Sequence, residues 1–157
     1  MKELTLEEKL RLLVLKGHFN THDLDGKYPE IMMSDGPCGI RKGLVEESEN
    51  GRLHCYPSAH VIANSWDREV AHKVGEAIAS DCIDNDIDII LGPGVNIKRT
   101  PLCGRNFEYY SEDPYLTGEL ASEYILGCQG KGIGTSLKHF ARIIGSLTDC
   151  IKRVKWI

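Results

Sequence analysis

An α/β fold is predicted by three features of the 157-residue chain. Stretches of helical periodicity alternate with short apolar runs, each run ends in polar or charged residues, and long loops separate two of the runs from the next helix. The order reads helix, strand, long loop, helix, strand, long loop, helix, strand, which implies parallel strands joined by crossover helices. Asp35 ends the first run, a loop carrying Asn96 to Glu108 follows the second, and Lys138-His139 end the third. Three strand ends delivering charge to one rim fit the active face of a barrel. They fit one edge of an open, doubly wound sheet equally well.

Composition narrows the class. A hydrophobic content of 41% suits a single globular domain with a core. The net charge of −4, with both signs interspersed, offers no basic field for nucleic acid or an acidic membrane surface. No apolar run approaches the length that spans a bilayer. The N-terminal MKELTLEEKL is charged and helical, unlike a signal peptide, so a cytoplasmic location is expected. Six cysteines (Cys38, Cys55, Cys82, Cys103, Cys128, Cys150) are spread evenly without a Cys-x-x-Cys pair, and read as reduced, mostly buried thiols.

The first helix is expected at Thr5-Leu6-Glu7-Glu8, whose spacing is that of a capping box, with Leu6, Leu10, Leu13 and Val14 as its buried stripe and Gly17 as its stop. His18 and His22 stand four apart, a metal-pair spacing on a helix, but they follow Gly17 in a polar segment and read as solvated loop residues. The run Ile31-Met32-Met33 reads as a buried strand that delivers Asp35, although an aspartate before Gly-Pro commonly just caps a turn. GLVEESEN, from Gly43 to Asn50, is a surface excursion. A long helix follows Ser65, which can cap it, with Trp66, Val70, Val74, Ile78 and Cys82 as its core stripe. Ile87 to Leu91 form the second strand. Asp113-Pro114 start another helix, with Leu116, Leu120, Tyr124 and Cys128 facing the core. Gly130, Gly132 and Gly134 then lead into the third strand. Their spacing is weak as a nucleotide fingerprint, because it precedes a strand instead of linking a strand to a helix.

The stretch from Leu91 to Pro114, LGPGVNIKRTPLCGRNFEYYSEDP, organises the rest. A loop of that length inside a compact domain normally binds something or is disordered, and Phe107, Tyr109 and Tyr110 argue against disorder. Together MMSDGPCGIR, CYPSA with the later SWD, DIILGPGVNIKRTPLCGRNFEYYSEDPYLTGELA and GIGTSLKHFA resemble the N-terminal part of a family 3 glycoside hydrolase of the β-glucosidase type. The resemblance covers Leu4 to Ala141. It implies the first part of a (β/α)8 barrel, about three βα units, and retaining hydrolysis of terminal, non-reducing β-glucosyl groups of a β-glucoside or small oligosaccharide, with no metal or other cofactor. It maps Asp35 onto the family's carboxylate for sugar hydroxyls, Arg105 onto the arginine of its Gly-Arg-Asn motif, and Lys138 and His139 onto its Lys-His pair. Glu108 lies in the same motif, where a supporting role fits as well as direct sugar contact. Cys38 departs from the pattern, since many relatives carry histidine there.

Other departures concern the chemical step. In the family the nucleophilic aspartate lies on a late barrel strand and the acid/base lies further on, so the resemblance assigns no catalytic residue here and the chain is expected to be inert as a hydrolase. Residues 1–141 are the expected barrel part. Residues 142–157 are an expected divergent tail, either out of frame or a closing helix with Ile143, Leu147, Ile151 and Val154 at helical spacing. A non-catalytic sugar-binding module is the alternative function. A phosphate site at Gly92-Pro93-Gly94 is disfavoured, because its proline and the many residues before the next helix do not cradle a pyrophosphate on a helix N-terminus.

Overall fold

A computed structural model describes residues 4–24, 26–41 and 53–140. The GLVEESEN excursion and the tail 142–157, with its out-of-frame and helical readings, lie outside the described residues. Helix α1 (Leu6–Arg11) precedes strand β1 (Met33–Asp35), helices α2 (Ala59–Ala63) and α3 (Arg68–Asp84), strand β2 (Ile89–Leu91), a single 3-10 turn (Asn106–Glu108), helix α4 (Pro114–Gly130) and strand β3 (Gly134–Thr135). The three strands form one parallel sheet in the order β1-β2-β3, with Met33 opposite Ile89, Asp35 opposite Leu91, and Ile89 opposite Gly134.

The strands alternate their side chains, so one face of the sheet meets the helices. Ser34 and Ile90, paired in register, are both fully buried. Ile90 joins Ile78, Ala79 and Cys82 of α3, Tyr124 and Cys128 of α4, and Ile87 and Ile133 at the strand entrances in one apolar cluster. Burying each of the larger aliphatic members contributes about 1.5–3 kcal/mol. A second cluster joins α2 to the helix pair through Ala59, Ile62, Ala71, Leu120 and Ala121. The opposite face, carrying Met33, Asp35, Ile89 and Leu91, is only half-buried.

Helices α3 and α4 touch backbone to backbone. A Cβ on Gly75 would lie 2.3 Å from the Tyr124 carbonyl oxygen, and one on Gly127 would lie 2.3 Å from that of His72. The buried stripe of α3 is therefore Ala71, Gly75, Ile78, Ala79 and Cys82. The expected stripe through Trp66 and Val70 is corrected: Trp66 is 74% exposed, lies before the helix with φ 55°, and its place in the core is taken by small residues that allow the close approach. Asp67, not Ser65, caps α3 by accepting from the Glu69 amide. On α4 the expected stripe holds, with Leu120, Tyr124 and Cys128 buried and Leu116 packed against the second cluster, which includes Leu120. Asp113 caps it through the Tyr115 and Leu116 amides, ahead of Pro114.

The capping box of α1 forms as expected, the Thr5 and Glu8 side chains each accepting the other's amide hydrogen. Its expected buried stripe does not. Leu6, Leu10, Leu13 and Val14 are 55–81% exposed, because no described element packs against the helix. Among the described residues no helix is long and apolar enough to cross a membrane, and no three His, Cys, Asp or Glu residues gather as a metal site. His18 stacks on Phe19. The five described cysteines are free thiols; Cys82, Cys103 and Cys128 are buried, Cys38 is half-buried and Cys55 is exposed.

Candidate functional site

Parallel register carries all three strand C-termini to one rim, and the polar residues gather there. Asp35 is the last residue of β1. Beyond β2 the chain crosses Gly92-Pro93-Gly94, and bridges join Gly94 to both Tyr109 and Lys138. The Lys138 amide donates to the Pro93 carbonyl at 3.0 Å, and the Val95 amide to the Lys138 carbonyl at 2.8 Å, so the sheet continues past β3. Only glycine suits position 94, where a Cβ would lie 2.8 Å from the Glu108 carbonyl oxygen and 3.1 Å from the Tyr109 ring. Gly94 thus lies between Glu108-Tyr109 and Lys138, and brings the far part of the loop after β2 toward the end of β3.

The charged groups form a continuous chain. Lys138 Nζ lies 2.7 Å from Asp35 Oδ1 and 3.5 Å from Glu108 Oε2. Glu108 is 4% exposed and also pairs with Arg105 through Oε1. Arg105 Nη2 lies 2.7 Å from His139 Nε2, and Tyr109 Oη lies 2.9 Å from His139 Nδ1. Asn96 clamps the same histidine by its backbone, accepting from the His139 amide at 2.7 Å and donating to the His139 carbonyl at 3.2 Å. The Lys138-His139 peptide bond is cis. Arginine only donates, so Nε2 of His139 accepts and the ring proton sits on Nδ1. Burial, and then the Arg105 and Lys138 charges, push this imidazole down to about 4, which keeps it neutral near pH 7. At Asp35 burial acts to raise the carboxyl, but the hydrogen bond and charge of Lys138, with help from the Gly36 amide and Arg41, hold it below its ordinary value.

Beside this chain lies a cleft of about 500 Å³, lined by Asp35, the Gly36 to Ile40 turn, His54, Cys55, Arg105, Phe107 and Glu108. That volume is within the range of about 300–1,000 Å³ usual for small-molecule sites. A second cleft of about 610 Å³ adjoins it across Phe107, with His60, Lys98, Arg99 and Glu112 among its walls. The far wall of the first cleft is pinned by Asp81 of α3, a buried carboxylate that accepts from Tyr56 Oη at 2.7 Å and lies 2.8 Å from His54 Nδ1.

All four residues singled out in the sequence, Asp35, Arg105, Lys138 and His139, fall in this one group. Glu108 takes the supporting position, buried between Arg105 and Lys138. The sequence did not single out Asn96 or Tyr109 as holders of His139, nor the Asp81 anchor. Asn96 and Tyr109 at least lie in the organising loop, whereas nothing local marks Asp81 within its helix.

Residues 14–150 match the family model described as the glycosyl hydrolase family 3 N-terminal domain. The chain belongs to this family. Similar family 3 members include the thermostable β-glucosidase B of Acetivibrio thermocellus, 48% identical over 148 residues, covering 90% of this chain and 20% of the relative. The exo-α-(1→6)-L-arabinopyranosidase of Bifidobacterium longum has the same identity and coverage. The chain thus spans about a fifth of the length of the relatives it matches. Among solved structures, β-glucosidase from Kluyveromyces marxianus in complex with glucose superposes with a TM-score of 0.81 at 37% identity, covering 88% of this chain and 16% of that one. β-Glucosidase 3B from Thermotoga neapolitana in complex with glucose gives 0.79 at 37% identity, covering 87% and 22%. With this likeness the open alternative is resolved: the parallel sheet and its helices are the first units of a family 3 TIM-type barrel, not an edge of a doubly wound sheet.

Proposed function

We propose that this rim holds the glycone of a β-glucoside, as part of a family 3 glycosidase. The observation that carries the reading is the contact of Asp35 with Lys138, 2.7 Å across 103 residues of sequence, in a group that also holds Arg105 and His139. A pyranose presents adjacent hydroxyls, each both donor and acceptor. An ionised Asp35 accepts from them, Lys138 and Arg105 donate to them, and charge-assisted bonds of this kind are roughly twice as strong as neutral ones. A neutral His139 held between Arg105 and Tyr109 fixes one edge of that rim. Glucose bound in two similar structures supports the sugar class. The equal likeness to an α-L-arabinopyranosidase supports only a pyranose, and glucose as the preferred glycone is the finer part of this proposal.

The four residues bind and do not perform the chemical step. Retaining hydrolysis needs a nucleophilic carboxylate and an acid/base roughly 5–5.5 Å apart across the scissile bond, one of them held protonated. Asp35 is kept ionised by Lys138 and so cannot serve as the acid, and Lys138 also faces the buried Glu108. On this reading the 157-residue polypeptide alone binds sugar without turnover. Calorimetric titration with glucose tests the binding, and an aryl β-glucoside assay tests the inertness. Saturable heat with no released phenol is expected. Turnover by the pure polypeptide contradicts the assignment of roles.

A further inference from the structure

We infer that Cys38 and Cys55 form a dithiol site in the wall of the first cleft, open to covalent modification by small disulfides and closing to an internal disulfide bond. The Tyr56 amide donates to the Cys38 carbonyl at 2.9 Å, and a Cβ on Gly39 would lie 2.3 Å from the His54 carbonyl oxygen. Residues 38–39 and 54–56 therefore run as touching backbones. The bond ties Cys38 to the residue next to Cys55, which brings the two cysteines into the neighbourhood that a disulfide, with its Cα separation of about 4.4–6.8 Å, requires. Both cysteines line the same cleft. Tyr56, next to Cys55, is anchored to Asp81 of α3, so the 54–56 backbone is held in place from behind.

The other described thiols are poor competitors. Cys82, Cys103 and Cys128 are buried, and burial pushes Cys82 and Cys128 up to about 12. Cys55 is exposed, while burial raises the half-buried Cys38. The order of reaction follows from access. The Cys55 thiolate attacks one sulfur of glutathione disulfide, whose S–S bond breaks, and one glutathione leaves as thiolate and takes up a proton. The Cys38 thiolate then attacks Cys55 Sγ, releasing the second glutathione in the same way. Two protein thiols are oxidised and one glutathione disulfide is reduced to two glutathiones. The reaction uses no sugar and stands independently of the glycone reading.

Peptide mapping tests it. The folded 157-residue chain is equilibrated in glutathione buffers of rising oxidised fraction, acid-quenched, alkylated and digested. A Cys38 to Cys55 cross-linked peptide that rises to saturation and disappears on reduction is expected, with Cys38→Ser leaving a glutathione adduct on Cys55. Separate glutathione adducts on Cys38 and Cys55 at every ratio overturn the inference. So does a cross-link no more abundant, relative to other cysteine pairs, than in the same chain equilibrated in concentrated urea. Should Cys38→Ser fail to fold, the wild-type map alone decides between these results.

Discussion

Lys138 links the two carboxylates of the rim, because its ammonium faces both Asp35 and Glu108. Replacing it by methionine leaves one half-buried and one buried carboxylate without a shared cation, and removing one member of such a group is destabilising. Lys138→Met is expected to lower thermal stability by roughly 1–3 kcal/mol, read from the melting curve, and to abolish the heat of glucose binding. The neutral His139 adds a pH dependence. Its folded value of about 4 lies below the ordinary 6.5, so the unfolded chain takes up the proton first as pH falls. Its contribution is fully present above about 6.5 and is lost toward about 4. Asp35 extends the loss below its ordinary 3.8, since its folded value is also lowered. An NMR titration of the His139 ring with a midpoint near 6.5 would contradict this environment. At this scale the sequence was informative where a motif supplied the residues, Asp35, Arg105, Lys138 and His139. It was silent on Asn96, Tyr109 and Asp81, whose roles come from contacts made across 43, 30 and 25 residues.

Helix packing explains why the α4 stripe was legible, the α3 stripe only in its second half, at Val74, Ile78 and Cys82, and the α1 stripe not at all. On α4 the large residues Leu120, Tyr124 and Cys128 face the core, so a count of apolar residues finds them. On α3 the buried face is largely Ala71, Gly75 and Ala79, residues chosen for backbone approach, and a search for bulky apolar side chains lands on Trp66 and Val70 at the surface instead. On α1 the periodicity is genuine but no described partner covers it. The close approach gives a paired prediction. Gly75→Ala and Gly127→Ala place a methyl against a carbonyl oxygen 2.3 Å away and are expected to lose roughly 1–3 kcal/mol through overpacking. Gly118→Ala, exposed on the same helix pair with nothing within 4 Å, is expected to gain up to about 1 kcal/mol from helix propensity. Equal melting temperatures for the three variants would remove the case for backbone contact between α3 and α4.

The molecule as a whole presents apolar surface on two sides. The face of the sheet turned away from the helices is half-buried, and Leu6, Leu10, Leu13 and Val14 of the N-terminal segment lie open. Surfaces of this kind associate in water, so sedimentation velocity of the isolated polypeptide is expected to show coefficients that rise with concentration. A single monomer species over a hundredfold concentration range would contradict that. Alternation of elements was enough to place three parallel strands with helices between them, but the choice between barrel and open sheet depends on strand curvature that no local pattern encodes, and it came from likeness to whole structures. Glucose calorimetry on wild type and Asp35→Asn, both shown folded by circular dichroism, asks whether the three strand ends form one sugar-holding rim. Saturable one-site heat is expected for wild type and an affinity at least about tenfold weaker for the variant, the loss of one charge-assisted hydrogen bond. Equal affinities, or no heat from folded wild type, would contradict such a rim.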